Sequence, residues 1–298
     1  LGSGLLEKDI ALGNALVDMY AKLGMLPKAQ QVLDELPVRD LVSWNALIAG
    51  YVQKHLYYEA LDCFERMQNE GLSPDEVTFV TMLKACGYVG ALDRGKRIHD
   101  KIVNHGFLKK DVMLGNALVD MYAKCRELAK SQEVLEDLLF RSTISWNSVI
   151  AGYSQQGQLH KALNCLKEMK YEGLSPDLIT FIYILTVCGI SGALDKGEEI
   201  HYEIRSRDLL LKNVALGNAL VDMYVKCGVL AKAQEAHEEI PVRDVISWNS
   251  LIAGYVHQGY YRDAFHCFEQ MQVENLFPDG ITFKCILKAC GKAGAASE

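Results

Sequence analysis

Cysteine and histidine, the side chains that most often hold metals or act as nucleophiles and bases, form no chemical set in this sequence. Nine cysteines occur without one Cys-x-x-Cys pair, and eight of them recur at fixed places in a repeated pattern. Cysteines that repeat inside apolar helical segments are usually small buried thiols, so we expect neither disulfides nor a zinc site. His99 recurs as His201, but no second ligand recurs with it at a metal-binding spacing.

Two segments partly match the sequences of known functional motifs, but each lacks residues that the motif requires. Residues 90–97 resemble a phosphate-binding loop, but Arg97 stands where such a loop needs Ser or Thr. His237 and Glu239 match half of a zinc deaminase signature, whose Pro-Cys-x-x-Cys half is missing. The sequence therefore predicts that this chain is not an enzyme and uses no cofactor.

The composition excludes several classes of protein. Half of the 298 residues are hydrophobic and 23% are charged, which is typical of a globular protein. The 31 Lys and Arg against 38 Asp and Glu give a net charge of -7, which disfavours binding nucleic acid mainly by bulk charge. No apolar run approaches the roughly 18–20 residues that span a bilayer, so we expect no membrane association.

A repeat of 102 residues organises the chain. The segment Leu-Gly-Asn-Ala-Leu-Val-Asp-Met-Tyr occurs three times, beginning at Leu12, Leu114 and Leu216. Ser-Trp-Asn recurs with the same offset, beginning at Ser43. Independent anchors with one spacing predict a repeat array.

Each unit of 102 residues divides into motifs of 31, 35 and 36 residues, which we call short, standard and long. The predicted short motifs are 10–40, 112–142 and 214–244, the standard motifs are 41–75, 143–177 and 245–279, and the long motifs are 76–111 and 178–213. Residues 1–9 match the tail of a long motif, and 280–298 match the start of another. We therefore expect one array over 1–298 whose two ends lie inside motifs.

Every motif is predicted to form two helices. In 41–75, apolar residues from Trp44 to Tyr51 recur at steps of three and four, and a second such series follows. Helix pairs this short bury their apolar faces only by stacking on neighbours. The sequence therefore predicts an all-α protein, an α-solenoid superhelix of about 17 helices, with the Trp series beginning at Trp44 in its core.

Hydroxyl residues near the start of the first helices are predicted to be N-caps. Ser and Thr side chains accept hydrogen bonds from the free amides of a first helical turn. The predicted caps are Ser43, Ser145 and Ser247 in the standard motifs and Thr78, Thr180 and Thr282 in the long motifs. Each first helix would then begin just after its hydroxyl residue.

The motifs resemble the pentatricopeptide repeat. In 41–75, Val-Ser-Trp-Asn-Ala-Leu-Ile-Ala-Gly-Tyr is followed by Glu-Ala-Leu and then by Gly-Leu-Ser-Pro-Asp, which is similar to that repeat along its whole length. The alternation of three lengths resembles the PLS class of this family, which occurs in plant organelles. The constant period of tetratricopeptide repeats is absent.

The resemblance implies binding of single-stranded RNA along the superhelix, with about one base per repeat. In the family, the fifth and last residues of a motif select the base, and Asn with Asp implies uridine whereas Asn with Ser implies cytidine. The standard motifs give Asn45 with Asp75, Asn147 with Asp177, and Asn249 with Asp279. The short motifs give Asn14 with Asp40, Asn116 with Ser142, and Asn218 with Asp244. The long motifs give Val80 with Asp111 and Ile182 with Asn213, where an apolar fifth residue implies weak selection.

The implied target is 5′-UUnCUnUU-3′, with the amino end of the protein toward the 5′ end of the RNA. A side-chain amide both donates and accepts hydrogen bonds, so Asn suits the edge of uracil. The second residue of a motif is implied to pack against a base, and these residues are Ala11, Met113, Ala215, Val42, Ile144 and Ile246. The candidate phosphate contacts lie at one register of the short motifs and are Lys22, Lys124 and Lys226.

The PLS class also implies a place in the mitochondrion or chloroplast and a role in choosing the sites of C-to-U RNA editing. The deaminase would then belong to a further domain or to a partner. Small editing cofactor proteins that dock on the long motifs are the other implied partners.

Two other interpretations of these residues stay open at this point. An Asn in the first helical turn also satisfies free backbone amides, and an Asp after Pro is a common turn residue. The alternative function is a helical-repeat scaffold that binds a peptide, and the acidic balance of the chain would suit a basic one. That alternative predicts no base preference.

Overall fold

The computed structural model describes residues 10–109 and 111–295. In this part of the chain there are 17 α-helices and two short 3₁₀ segments, Phe107–Lys109 and Leu209–Lys212, and there is no strand. The all-α prediction is confirmed. The predicted motif tail at 1–9 lies outside the described residues. None of the helices in the two described ranges is both long and apolar enough to cross a bilayer.

The chain divides after Gly152 into two compact units. The helices before the division are α1 (Ile10–Lys22), α2 (Leu26–Glu35), α3 (Leu41–Gln53), α4 (Tyr57–Asn69), α5 (Glu76–Val89), α6 (Leu92–Asn104), α7 (Val112–Lys124) and α8 (Leu128–Asp137). Helix α9 (Thr143–Gln155) contains the division. The helices after it are α10 (Leu159–Tyr171), α11 (Leu178–Ser191), α12 (Leu194–Ser206), α13 (Val214–Lys226), α14 (Leu230–Glu238), α15 (Val245–Gln258), α16 (Tyr261–Val273) and α17 (Gly280–Ala295).

The odd-numbered helices are the first helices of the motifs, and the even-numbered helices are the second. In both units a first helix packs against the second helix of its own motif and against the first helix of the next. Helix α1 contacts α2 and α3 in this way, and α13 contacts α14 and α15. Each unit therefore has one layer of first helices and one of second helices, which is the arrangement of an α-solenoid.

The first helices begin earlier than the hydroxyl residues predict. Their N-caps are aspartates whose carboxylates accept the backbone N–H of the third helical residue, and these caps are Asp40, Asp75, Asp177 and Asp244. The N-cap prediction is therefore wrong for the hydroxyl residues, all of which stand at the third helical position: Ser43, Thr78, Ser145, Thr180, Ser247 and Thr282. A carboxylate is the stronger acceptor, and its charge favours the positive end of the helix dipole.

Glycines let neighbouring first helices approach closely. A Cβ added at Gly87 of α5 would lie 3.3 Å from the Cα of Met121 in α7. In the second unit, a Cβ at Gly189 of α11 would lie 3.2 Å from the Cα of Met223 in α13. Larger residues at these two positions would force the helices apart, so the layer of first helices depends on them.

The second helices are joined by long charged side chains. Arg66 of α4 lies 2.7 Å from Asp34 of α2, and Lys170 of α10 lies 2.7 Å from Glu203 of α12. Exposed ion pairs of this kind contribute only about 0–1 kcal/mol each. The apolar core, in which Trp44 is 0% exposed, therefore contributes most of the stability.

Candidate nucleic-acid interface

The amides of four predicted base-selecting asparagines meet the carboxylates with which the sequence pairs them. In each case Nδ2 of an Asn in one first helix donates to the Asp that precedes the next first helix. The shortest N–O distances are 2.9 Å for Asn14–Asp40, 3.2 Å for Asn45–Asp75, 3.0 Å for Asn218–Asp244 and 3.0 Å for Asn249–Asp279. The fifth and last residues of these motifs therefore form one polar site each.

The aspartates satisfy the free helix amides at these sites. One carboxylate oxygen of Asp75 accepts the N–H of Thr78 at 2.8 Å while the same carboxylate accepts the amide of Asn45. The interpretation that the asparagine accepts hydrogen bonds from the free helix amides is therefore wrong for Asn45. The interpretation that the aspartate has a local structural role is correct for Asp75. A carboxylate has no hydrogen to donate, so Asn45 turns its NH2 group toward Asp75 and Oδ1 away from it.

The fourth motif holds its amide the other way round. Ser142 Oγ donates to Oδ1 of Asn116 at 3.0 Å, so the carbonyl side of the amide faces the last residue of the motif. The NH2 group of Asn116 is therefore turned away from Ser142. Ser142 also accepts the N–H of Ser145 at 3.2 Å, which is the capping role that Asp has elsewhere. Exchanging Asp for Ser thus reverses which group of the amide points away.

The fifth motif has its two predicted residues in different units. Asn147 of α9 is buried, with 7% of its surface exposed. Asp177 caps α11, where its Oδ1 accepts the N–H of Thr180 at 2.8 Å. Asp177 therefore has the same capping role as the other aspartates.

The long motifs have no such polar pair at the fifth position. Val80 and Ile182 are half-buried and carry no hydrogen-bonding group on their side chains. Their last residues cap the next first helix, because Asp111 Oδ1 accepts the N–H of Met113 at 2.7 Å and Asn213 Oδ1 accepts that of Leu216 at 3.0 Å. These motifs keep the cap and lack the selecting amide.

The predicted base-packing residues all lie on the surface. The four large ones are between 61% and 65% exposed, and they are Val42, Met113, Ile144 and Ile246. Ala11 and Ala215 are exposed as well. The same position in the long motifs was not predicted to pack against a base, and its residues Val77, Ile179 and Ile281 are likewise 65%, 51% and 60% exposed. Counting the second residue of every motif finds all nine of these residues.

The three candidate phosphate-binding lysines are already paired. Lys22, Lys124 and Lys226 each lie 2.7 Å from an aspartate four residues earlier in the same helix. Such exposed pairs are weak, at roughly 0.3–0.5 kcal/mol, so a phosphate can replace the aspartate at low cost. Lys124 also lies over the ring of Tyr88, with its Nζ 4.2 Å from the ring centre.

One groove in the second unit brings the three classes of predicted residue together. Its volume is about 580 Å³, and it lies between the first helices α13, α15 and α17. Lys226, Ile246, Asn249, Asp279 and Ile281 are among its lining residues. The groove is therefore lined by an amide, two apolar side chains and a cation, close enough together for one ligand to contact them all. We call it the Asn249 groove.

The aspartates at three of these sites, Asp40, Asp75 and Asp279, stay ionised. Burial opposes ionisation of Asp40 and Asp75, but hydrogen bonds from the residues around them outweigh it and hold each pKa below its ordinary 3.8. Hydrogen bonds from the backbone of Thr282 and from Asn249 likewise lower the pKa of Asp279. An ionised carboxylate only accepts hydrogen bonds, so the amide orientation it imposes holds at neutral pH.

The cysteines take no part in this surface. All nine are free thiols, and burial raises the pKa to about 12 in Cys63, Cys86, Cys188 and Cys267. The expected burial does not extend to three of the recurring cysteines, because Cys125 and Cys227 are half-buried and Cys290 is exposed. Within residues 10–109 and 111–295, His, Cys, Asp and Glu form no group of three that would hold a metal ion.

Family models of the PPR repeat match most of the chain. The model of the PPR repeat family matches 39–87, 141–189 and 243–292, which start 102 residues apart, and the PPR repeat model matches 14–41. A chloroplastic pentatricopeptide repeat-containing protein of Arabidopsis thaliana is 36% identical over 285 residues, covering 96% of this chain and 35% of the relative. A mitochondrial one is 33% identical over 294 residues, covering 98% and 52%. This chain thus spans about a third to a half of these relatives.

Solved structures share the fold. The crystal structure of the pentatricopeptide repeat protein PPR10 in complex with an 18-nt psaJ RNA element matches with a TM-score of 0.77 and 19% identity. The match covers 94% of this chain and 42% of PPR10. The crystal structure of PPR10 from maize matches with a TM-score of 0.61, over 93% of this chain and 46% of that one. The prediction of an α-solenoid is confirmed.

Proposed function

Because this chain belongs to the pentatricopeptide repeat family, we propose that it binds single-stranded RNA along its first helices, at about one base per motif. The proposed target is 5′-UUnCUnUU-3′. PPR10, whose fold this chain shares, forms a complex with an 18-nt RNA. The observation that carries the proposal is the Asn249 groove, since it gathers the side chains that an RNA nucleotide needs.

A pyrimidine nucleotide suits the groove in three ways. The base edge meets the amide of Asn249, which Asp279 orients at 3.0 Å. The faces of the ring pack against Ile246 and Ile281, which are 61% and 60% exposed in the free protein. The phosphate meets Lys226. Apolar side chains alone bind any base, so the amide supplies the selection.

The two amide orientations support the proposed choice between uracil and cytosine. Where Asp holds the NH2 group, as in Asn14, no described residue donates to the oxygen, and uracil offers its N3–H. Where Ser142 holds the oxygen of Asn116, the NH2 group is left to donate, and cytosine offers N3 as an acceptor. The wrong base in either motif places like groups against each other, which costs about 1–3 kcal/mol.

The wider role that we propose is the choice of sites for C-to-U editing in a mitochondrion or chloroplast. The three motif lengths support it by their resemblance to the PLS class, and the relatives with organellar names support the compartment. The deaminase would come from a further domain or from a partner. The editing cofactor proteins would dock on the long motifs, which lack a selecting amide.

Electrophoretic mobility with short RNAs tests the proposal. We expect the chain to shift 5′-UUACUAUU-3′ at lower protein concentration than RNAs in which one selected pyrimidine is exchanged for the other. A peptide-binding scaffold would show no base preference, and equal binding of all these RNAs would overturn the assignment of selecting residues. No shift with any RNA, for a chain whose circular dichroism shows folded helices, would overturn RNA binding itself.

A further inference from the structure

Where an aspartate holds the NH2 group, the amide oxygens exist in two states, and the standard motifs of Asn45 and Asn249 have the first. Asn45 Oδ1 lies 2.6 Å from the hydroxyl of Thr78. Asn249 Oδ1 lies 2.6 Å from the hydroxyl of Thr282. Both threonines are buried, at 1% and 0% exposure. The amide is therefore held on both sides, with NH2 on the aspartate and the oxygen on the threonine.

The short motifs that pair Asn with Asp have the second state. The Oδ1 atoms of Asn14 and Asn218 are buried and accept no hydrogen bond from any described residue. A buried acceptor without a donor costs about 1–3 kcal/mol. One of these motifs lies in each unit, so the difference from the standard motifs occurs twice and independently.

The cause is the third residue of the following motif. After a short motif this residue is serine, and Ser43 Oγ donates its single hydrogen to the backbone carbonyl of Asp40 at 2.9 Å. Ser247 does the same to Asp244 at 2.9 Å. Serine therefore has no hydrogen left for the asparagine.

After a standard motif the third residue is threonine, whose side chain is restricted by its β-branch. The hydroxyl of Thr78 lies 2.6 Å from Asn45 Oδ1 and 2.6 Å from Asp75 Oδ1. The hydroxyl of Thr282 is nearer to Asn249 than to Asp279, at 2.6 Å against 3.0 Å. Threonine also has one hydrogen, so Thr282 is placed to donate it to Asn249, whereas Thr78 shares it between Asn45 and Asp75.

We propose that this third residue is a positioning residue that sets how strongly the preceding asparagine rejects cytosine. The proposal rests on the proposed function. When a base binds a short motif, the asparagine must turn to bring this buried oxygen to the base edge, where the N3–H of uracil satisfies it and cytosine leaves it unpaired. In a standard motif threonine keeps the oxygen paired with either base. Leaving a buried acceptor unpaired is costly, so the short motifs select uracil more strongly than the standard motifs do.

Reciprocal exchange of the two hydroxyl residues tests this inference. Binding is measured to RNAs with U or C at base two, read by motif 41–75, and at base seven, read by motif 214–244. In the unmodified chain we expect a U-to-C affinity ratio about fivefold larger at base seven than at base two. Ser247→Thr should lower the ratio at base seven about fivefold, and Thr78→Ser should raise it at base two by a similar factor.

Each variant serves as the control for the other, because Ser247→Thr should leave base two unchanged and Thr78→Ser should leave base seven unchanged. Thr81→Ser, which removes a methyl group from the same helix as Thr78, should alter neither ratio. Ser43→Thr repeats the test at base one if Ser247→Thr unfolds the chain. If the uracil preference is the same in the exchanged variants, or changes at both bases together, this inference is overturned and the proposed function is not. Absence of any base preference in the unmodified chain overturns the proposed function and this inference with it.

Discussion

The sites at Asn45 and Asn116 contain the same side chain, and the last residue of each motif holds the opposite end of its amide. Asp75 takes hydrogen bonds from Asn45 Nδ2 at 3.2 Å, whereas Ser142 donates to Asn116 Oδ1 at 3.0 Å. The last residue of the motif decides which end of the amide it holds. If these residues select a base as proposed, two are needed, because the first supplies both kinds of polar group and the second chooses between them.

The two orienting residues also differ in strength. Hydrogen bonds to a charged group contribute about 1.5–3 kcal/mol, against about 0.5–1.5 kcal/mol for neutral pairs. An ionised carboxylate admits only one amide orientation, while a hydroxyl both donates and accepts and so admits two. The Asn45 site is therefore the more rigid of the two, and the Asn116 site depends on the hydrogen position of Ser142.

Removing the selecting amide should have the largest effect on this comparison. In Asn45→Ala no group is left to distinguish uracil from cytosine, and one correct base contact contributes about 1–3 kcal/mol, or roughly 5- to 150-fold. We expect the U-to-C affinity ratio at base two to approach one in a competition assay. Asn69→Ala, at the exposed end of α4, is the matched control and should keep the ratio. A preserved ratio in Asn45→Ala would remove the amide from the reading of the base.

Exchanging the orienting residues should have the next largest effect. Ser142→Asp should reverse the amide of Asn116 and move the preference at base four from C to U by about tenfold. Asp75→Ser should do the opposite at base two. Serine and aspartate are both good N-caps, so the thermal midpoint should change little in either variant. If the two variants shift their bases in the same direction, the orientation argument is wrong.

The elements and the register of the sites followed from the sequence, because the repeated segments fix both. The spacing of apolar residues around Trp44 gives the helices, and the 102-residue offset puts every selecting Asn at one place in its motif. The family resemblance then gives the pairing of Asn45 with Asp75, which the structure brings to 3.2 Å. Their selection of a base stays a prediction.

The details of hydrogen bonding did not follow from the sequence. Asp40 and Ser43 are both good caps, three residues apart, and only the path of the backbone decides that the aspartate takes the amides. The amide orientation of Asn116 depends on the position of Ser142 Oγ, 3.0 Å away. A sequence pattern does not give the position of a single atom. The pairing of Lys226 with Asp222 was readable from their spacing of four and was missed.

Removing a cation from the Asn249 groove should weaken RNA binding regardless of the base, and this effect should be smaller than that of exchanging the orienting residues. Lys226→Ala should lower the affinity for all RNAs by a few-fold and leave every U-to-C ratio unchanged. The slope of log affinity against log salt should become shallower by about 0.7, the value for one phosphate of a single strand. Lys232→Ala, which removes a cation from the second helices, should leave the slope unchanged. A total slope that implies more than about eight released counterions would contradict binding led by base contacts.

Acidity should have the smallest effect, and neither the carboxylate site at base two nor the hydroxyl site at base four should respond to it between pH 8 and pH 5. The pKa of Asp75 is lowered below 3.8 in the folded chain, so its contribution to stability is present above 3.8 and is lost as the pH falls through the folded value. Between pH 8 and pH 5 the carboxylate stays ionised, and the uracil preference at base two should stay constant. Base four, held by the hydroxyl of Ser142, should show the same constancy. Fluorescence anisotropy at the two pH values measures both preferences. A uracil preference that falls between pH 7 and pH 5 at base two alone would mean that Asp75 takes up a proton there and no longer orients Asn45.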